Sequence, residues 1–148
     1  MPTSTRFAVA VHLLAAFAAN DSKPLRSQDL AYSANTGPVV VRGLLARLGE
    51  AGFTRSQLGA GGGTFLARAA NEITLLDVYE AVEDTELFSM HRNAPSRNCS
   101  VGGNILEAMR PALSRARKAM ESELATVTVA DVAAEVARLG NSSLHLDR

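Results

Sequence analysis

A chain of 148 residues can form one domain with its own hydrophobic core, or a small domain with an appended helix. Apolar residues make up 47% of it, but no apolar run approaches the roughly 18 residues that a membrane span needs. The first residues lack the basic and apolar regions of a secretory signal, so we expect a cytoplasmic protein without a membrane partner. The single cysteine, Cys99, excludes an internal disulfide and a site built from several cysteines, so we expect no cofactor.

The formal net charge is zero, but the charges are divided unevenly along the chain. Residues 1–68 carry seven Lys and Arg against three Asp and Glu, a net charge of +4, which leaves −4 for residues 69–148. A basic half attracts polyanions. The division therefore favours a nucleic-acid partner for the first half, although a difference of this size also occurs in proteins that never meet nucleic acid.

The first predicted element is a helix over residues 3–19 whose role is packing. The apolar residues that recur there at the spacing of one helical face are Phe7, Val11, Leu14 and Ala18. His12 lies beside this face, and we interpret it as a half-buried surface residue and not as a ligand or base.

Two more helices with a turn between them are predicted next. Ser27 is interpreted as the N-cap of a short helix that ends at about Ala34, and residues 35–37 as the turn. Pro38 then fits the first turn of the third helix, where its missing N–H removes no hydrogen bond. The apolar residues of the third helix that should face the first are Val41, Leu44, Leu45 and Leu48.

Two short β-prone runs follow, joined by a glycine turn. The first run begins at Phe53, four of the five residues 59–63 are glycine, and the second run covers residues 64–66. Glycine permits the positive φ that a tight hairpin needs. A phosphate-binding nucleotide loop is a poor alternative, because neither Lys-Ser/Thr nor a helix follows the glycines. A helix followed by a glycine-tipped hairpin predicts a mainly α winged helix-turn-helix fold with a small β-hairpin wing, and hence DNA binding.

Specific side chains are predicted to touch DNA. In a helix-turn-helix the second helix enters the major groove through its N-terminal residues. Arg42 is the first candidate to read a base edge or a phosphate, because a guanidinium binds guanine through two hydrogen bonds; the alternative is a solvated surface arginine. The wing would contact the sugar–phosphate backbone or the minor groove. The predicted DNA-binding residues are Ser27, Gln28, Asn35, Thr36, Pro38, Val39, Arg42, Arg55, Ser56, Gln57, Gly61, Gly62 and Thr64.

A further helix and a connector lead into the second half. Residues 74–77 form a capping box that opens a helix through about Val82. Residues 84–103 have no helical pattern and are interpreted as a connector loop that carries His91 and Cys99. If the residues after Cys99 begin the next helix, the helix dipole would favour its thiolate. A redox-responsive thiol and an inert cysteine both remain open, whereas a Cys–His pair lacks a third group at matching spacing.

Residues 104–140 are predicted to form dimerisation helices, followed by a loose tail over residues 141–148 that includes His145. Pro111 predicts a kink or a break in the long helix. A second capping box at residues 128–131 opens a last helix that Gly140 ends. An apolar stripe of this length is more typical of a seam with a second copy than of a cofactor site. The stripe consists of Ile105, Met109, Leu113, Ala116, Met120 and Leu124.

The segments VVVRGLLARLGEAGFTRS, GAGGGTFLAR and ITLLDVYEAVE occur in this order and resemble the Rrf2 family of bacterial winged helix-turn-helix transcription regulators. The resemblance covers almost the whole chain, through NCSVGGNI and the long helix after it. It implies a winged domain over residues 1–83, a recognition helix at residues 37–49 and a wing at residues 55–64. It also implies a homodimer with crossed long helices that represses an operator under the control of a small signal.

Two features depart from the family pattern. Cluster-binding members carry three closely placed cysteines in the connector, so the resemblance is to the clusterless branch. The wing arginine of many members is Leu58 here and the usual proline is Ala60, which leaves Arg55 as the nearest substitute. We expect a homodimeric repressor of a pseudo-palindromic DNA operator; a response to redox or another small signal through Cys99 and an inert Cys99 are the two alternatives for the thiol. The alternative is a winged protein-interaction module without DNA binding; an enzyme has no acid, base and nucleophile at usable spacing.

Overall fold

A computed structural model describes residues 4–21, 23–84 and 86–140. The predicted loose tail, with His145, lies outside these residues. The elements in chain order are α1 (Arg6–Ala19), α2 (Ser27–Ala34), α3 (Pro38–Glu50), β1 (Thr54–Gln57), β2 (Gly63–Leu66), a short 3-10 helix (Ala70–Glu72), α4 (Leu75–Val82), α5 (Ser100–Leu124) and α6 (Val129–Gly140). The mainly helical fold with one antiparallel hairpin confirms the predicted fold class. Among the described residues, no helix has both the length and the apolar character needed to cross a membrane.

α1 runs through the centre of the hydrophobic core. Its fully buried residues are Ala10, Leu13, Leu14 and Phe17. The predicted face shares only Leu14 with this set, because Phe7, Val11 and Ala18 are partly exposed. The reason is that α1 packs against α2, α3, α4 and α6 together, so it buries a broader surface than one stripe describes. Thr3, the predicted first residue of this helix, lies outside the described residues.

α2 and α3 form the predicted helix-turn-helix. Val41, Leu44, Leu45 and Leu48 of α3 are all buried, as the sequence predicted. Asn35 ends α2 in the left-handed conformation, with φ 50° and ψ 51°. The predicted N-cap was wrong: Ser27 is already the first helical residue, because the extended residue before it is Arg26, whose side chain caps nothing.

The hairpin is held against the start of α2. β1 and β2 pair antiparallel, and Leu25 pairs with Thr64 through two backbone hydrogen bonds of 2.9 and 2.8 Å. This close approach requires glycine at position 63, because a Cβ there would lie 2.6 Å from the carbonyl oxygen of Leu25. The wing is therefore fixed beside the first residues of α2.

α6 packs on α1, although the sequence grouped it with α5. Val129 is fully buried in the core, and its N–H donates to the carbonyl of Ile73 at 2.8 Å. The N–H of Leu75 in turn donates to Val127 at 2.9 Å. Both predicted capping boxes are present, at residues 74–77 and 128–131. We call residues 4–82 together with α6 the winged body.

α5 and the connector beside it, residues 86–124, form what we call the arm. α5 begins at Ser100, so its first four residues lie in the range predicted as connector. The predicted break at Pro111 is wrong, because the helix continues through it. A proline removes one backbone hydrogen bond, and the many other bonds of a 25-residue helix maintain its conformation. None of the residues of α5 is buried in the single chain.

Candidate nucleic-acid interface

A cleft of about 460 Å³ lies between the start of α2, the exposed side of α3 and the wing. Its lining brings together five of the predicted DNA-binding residues, which are Ser27, Arg42, Arg55, Ser56 and Thr64. With Thr54, two guanidinium groups and four hydroxyl groups therefore border one concave surface, in which Thr54 and Thr64 are buried. Such groups are the usual donors to phosphate oxygens in protein–DNA interfaces.

Local structure explains how these side chains meet. On α3, Val41 and Leu45 face the core, which turns Arg42 outward. On β1, Thr54 is buried and Arg55, Ser56 and Gln57 are exposed, while Ser56 pairs in register with Thr64. The Leu25–Thr64 backbone bonds then bring Ser27 to the edge of the wing.

Arg42 and Arg55 are available for an external anion. Within the described part of the chain, neither guanidinium makes an ion pair or a hydrogen bond. Arg47 differs, because Asp84 binds its guanidinium through two hydrogen bonds of 3.0 and 2.9 Å. Of these three arginines, the two that border the cleft are therefore free to attract phosphate.

The first turn of α3 presents an apolar surface beside this basic cleft. Val39 is 73% exposed, and Asn35 and Pro38 are exposed with it, whereas Thr36 is half-buried. The sequence missed Tyr32 and Val40, which are 64% and 47% exposed near the same helix end. Apolar side chains at a recognition helix can contact the methyl group of thymine. In the sequence, these two residues could have been recognised as large apolar residues outside the set that faces the core.

The outer part of the wing offers fewer donors than the sequence predicted. Gln57 and Gly61 are exposed, but the N–H of Gly62 donates to the carbonyl of Gly59 at 3.0 Å. Glycine is required at position 62, because a Cβ there would lie 2.2 Å from the carbonyl oxygen of Gln57. The amide of Gly62 is therefore engaged within the turn. Leu58, at the wing tip, is 93% exposed.

Arg26 is a basic residue next to Ser27 of the cleft, and it was not among the predicted DNA-binding residues. It is exposed and immediately precedes Ser27, and it makes no ion pair with another described residue. A basic residue directly before a helix that touches the wing was the signal in the sequence. Gln28, which the sequence did predict, is also exposed on the first turn of α2.

Cys99, His12 and His91 are not among the residues that line this cleft. Cys99 is exposed at the N-cap of α5, where hydrogen bonds from the backbone of Gly102 and Val101 lower the pKa of its thiol. A helix N-terminus stabilises a thiolate for this reason. His12 is exposed, and its Nε2 lies 2.8 Å from Ser33 Oγ.

The predicted stripe on α5 lies at the surface of the single chain. Its residues Ile105, Met109, Leu113, Met120 and Leu124 are half-buried, and Ala116 is exposed. A groove of about 320 Å³ borders the stripe, where Leu87, Phe88 and Met90 of the connector lie against Leu106 and Leu113.

A helix-turn-helix with an exposed recognition helix and a basic, hairpin-bordered cleft defines a winged helix-turn-helix protein. Residues 3–135 match the family described as "Rrf2: Iron-dependent Transcriptional regulator". The chain belongs to the Rrf2 family, and it is a transcriptional regulator of this DNA-binding family and not an enzyme.

Three similar proteins agree with this assignment. YwnA of Bacillus subtilis (strain 168), named as a candidate HTH-type transcriptional regulator, is 37% identical over 130 residues, which are 87% of this chain and 95% of YwnA. A crystallised candidate DNA-binding protein is 34% identical with a TM-score of 0.68, over 86% of this chain and 97% of its own. A candidate transcriptional regulator from Lactobacillus plantarum is 29% identical with a TM-score of 0.73, over 92% of each chain.

The family description names iron, and the residues of this chain bear on that point. The chain has one cysteine. Across residues 4–21, 23–84 and 86–140, no three His, Cys, Asp or Glu side chains come close enough together to hold a metal ion. Iron–sulfur clusters are held by several cysteine thiolates. The donor set therefore does not fit a cluster held by three cysteines.

Proposed function

We propose that this protein is a homodimeric, sequence-specific repressor that acts in the cytoplasm on a pseudo-palindromic DNA operator. The observation that carries the proposal is the cleft in which Arg42 and Arg55, without a partner among the described residues, stand beside four hydroxyl groups. Arg42 lies on α3 and supplies base or phosphate contacts in the major groove. Arg55 and Ser56 of the wing contact the adjoining backbone.

The homodimer is supported by the exposure of the arm. α5 has 25 residues and buries none of them in a single chain, yet it carries the apolar stripe from Ile105 to Leu124. A second copy of the same helix is the partner with a matching stripe. Two copies of α3 then face two half-sites that are related by the dimer axis, about one helical turn of DNA apart or a multiple of it.

A signal acting through Cys99 forms the finer part of the proposal. The thiol is exposed and its pKa is lowered by the first amides of α5, so a larger fraction is thiolate, the reactive form. Oxidation or alkylation there adds bulk at the start of α5 and lowers operator affinity by moving α5 relative to the wing. A Cys99→Ser protein should keep its operator affinity in the presence of hydrogen peroxide, and a variant that still responds to the oxidant would contradict this role.

Selection of duplexes from a random DNA pool tests the main proposal. The protein should enrich an inverted repeat, and its affinity for that repeat should fall steeply between 50 and 200 mM salt, because phosphate contacts release counterions. Light scattering should give the mass of two chains. A monomer, or a protein that enriches no sequence, would instead favour the protein-interaction module.

A further inference from the structure

The residues that follow α4 hold two helices of the winged body. Asp84 accepts hydrogen bonds from Arg47 of α3 through both carboxylate oxygens, at 3.0 and 2.9 Å. The same guanidinium donates to the backbone carbonyl of Val82 at 3.2 Å. A carboxylate and a guanidinium joined by two parallel hydrogen bonds fix each other's direction as well as their distance.

The same stretch also holds the beginning of α1. Asp84 lies 3.3 Å from the guanidinium of Arg6. Its neighbour Glu83 accepts hydrogen bonds from the hydroxyl of Ser4 at 2.8 Å and from the backbone N–H of Phe7 at 3.2 Å. The hydrogen bonds from Arg47 hold the pKa of Asp84 below its usual range, so its carboxylate is ionised.

Besides the packing of α5 against α4, the arm is connected to the winged body at both of its ends, and the two connections differ in character. At its far end, residues 127–129 bond to residues 73–75 through backbone groups, and Val129 is fully buried there. At its near end, Asp84, two positions before the arm begins, binds Arg47 of α3 through its side chain, and Arg47 also donates to the backbone carbonyl of Val82. Arg47 follows Arg42 by five residues of one helix, about 7.5 Å along its axis. A displacement of α3 at Arg47 therefore also displaces the surface that carries Arg42.

We propose that Asp84 is a positioning residue for operator recognition. Through Arg47 it fixes the direction of α3 relative to the arm, and so it sets the spacing between the two recognition helices of a dimer. This inference rests on the proposed homodimeric binding of DNA.

Electrostatics and positioning predict opposite results when Asp84 loses its charge. Asp84→Asn removes a negative charge near the recognition helix, which by itself strengthens attraction to phosphate. If Asp84 positions α3, the same change weakens binding to an inverted repeat of the selected spacing. Asp84 is exposed and Arg47 is half-buried at the surface, and surface ion pairs contribute little to stability, so the variants should fold.

The test uses three duplexes and full-length protein. The first carries the inverted repeat that the wild-type protein selects from a random pool, the second carries the same repeat with one base pair inserted between the half-sites, and the third carries one half-site. The variants are Asp84→Asn, Arg47→Met and their combination. Glu135→Gln is the matched control, because it breaks an Arg–carboxylate pair that lies within α6 and joins no two elements. Thermal melting checks the fold of each protein.

We expect Asp84→Asn and Arg47→Met each to bind the selected repeat about tenfold more weakly, with a change of less than about twofold on the half-site. Both should lose the preference for the selected spacing over the inserted one. The combination should be no weaker than the weaker single variant, because the two residues act through one bond. Glu135→Gln should match the wild-type protein.

Three results would overturn the inference. The first is that Asp84→Asn binds the selected repeat as tightly as the wild-type protein or more tightly. The second is that Asp84→Asn weakens binding to the repeat and to the half-site equally, as general loss of structure would. The third is that the losses of affinity of the two single variants multiply in the combination. Failure of the proposed function is distinguishable, because the wild-type protein would then select no inverted repeat.

Discussion

The winged body and the arm differ in how their apolar residues are used. The body buries Phe17, Leu13 and Val129 completely in one continuous core. The arm has its apolar residues on a helix none of whose residues is buried, beside exposed connector residues such as Phe88. The core of the body is therefore formed within one chain, whereas the exposed apolar surface of the arm is of the kind that a second chain would cover.

The two arginines of the cleft differ from those of the arm in their partners, although Arg6 and Arg47 of the body are paired with Asp84. Arg42 and Arg55 in the body have no partner among the described residues, while Arg110 and Arg117 in the arm pair with glutamates. Unpaired arginines are free to attract phosphate, whereas paired arginines are already engaged. We therefore expect DNA contact through the body and assembly through the arm.

The largest effect is expected from removing the stripe of the arm. Met109→Asp combined with Leu113→Asp places two charges on the proposed seam, so the protein should become monomeric. Operator affinity should fall on the order of a thousandfold, because two half-sites are then bound independently. Light scattering and gel shifts measure both changes. Leu139→Asp, on an exposed apolar residue of α6, is the control and should remain dimeric; a dimeric double variant would contradict the assignment.

A core substitution in the body should act on stability. Leu13 is fully buried on α1, so Leu13→Ala should lower the free energy of unfolding by about 3 kcal/mol through lost burial and a cavity. Urea denaturation measures the change. The control Leu139→Ala removes a side chain that is 69% exposed and should change stability by less than about 0.5 kcal/mol. Equal losses would mean that the core extends to this end of α6.

Local signals in the sequence predicted much of the fold. The capping box at Thr74, the first-turn position of Pro38 and the glycine hairpin each depend on neighbouring residues only, and each agrees with the structure. The docking of α6 on α1 depends on contacts between distant residues, so no local pattern indicated it. Pro111 shows the opposite case. A proline inside a helix favours a kink or a break, but the helix α5 continues through Pro111.

The sequence predicted which residues belong to the candidate site better than it predicted how those residues are arranged. Five of the six polar residues that line the cleft were predictable, because recognition helices and wings have known positions for them. It did not find that Leu25 pairs with Thr64 and thereby brings α2 to the wing. It also did not find the pair of Arg47 and Asp84, since these residues are 37 positions apart.

Substitution of Arg42 tests whether the winged body recognises particular DNA bases. Arg42→Ala should weaken operator binding by about 1 to 3 kcal/mol and relax the preference at one base position, as loss of a guanine contact would. Selection on a random pool and gel shifts measure this. Arg115→Ala removes the same charge from an exposed residue of the arm and should keep the selected sequence. An Arg42→Ala protein with unchanged affinity and sequence preference would remove Arg42 from the interface.

The smallest expected effect concerns the thiol at the start of α5. Because hydrogen bonds from Gly102 and Val101 lower the pKa of Cys99, the thiolate fraction at a given pH is higher in the folded protein than in the unfolded chain. The rate of alkylation by iodoacetamide should therefore reach half of its maximum at a lower pH in buffer than in urea.

Val101→Pro is the matched test of this cause. It removes one of the two donors at a first-turn position where proline is tolerated, so the midpoint of alkylation should move to higher pH. If the midpoint stays the same, or if folded and unfolded chains react alike, the first turn of α5 does not activate the thiol. The arm would then be an assembly surface alone, and a signal would have to reach the DNA-binding body by another route.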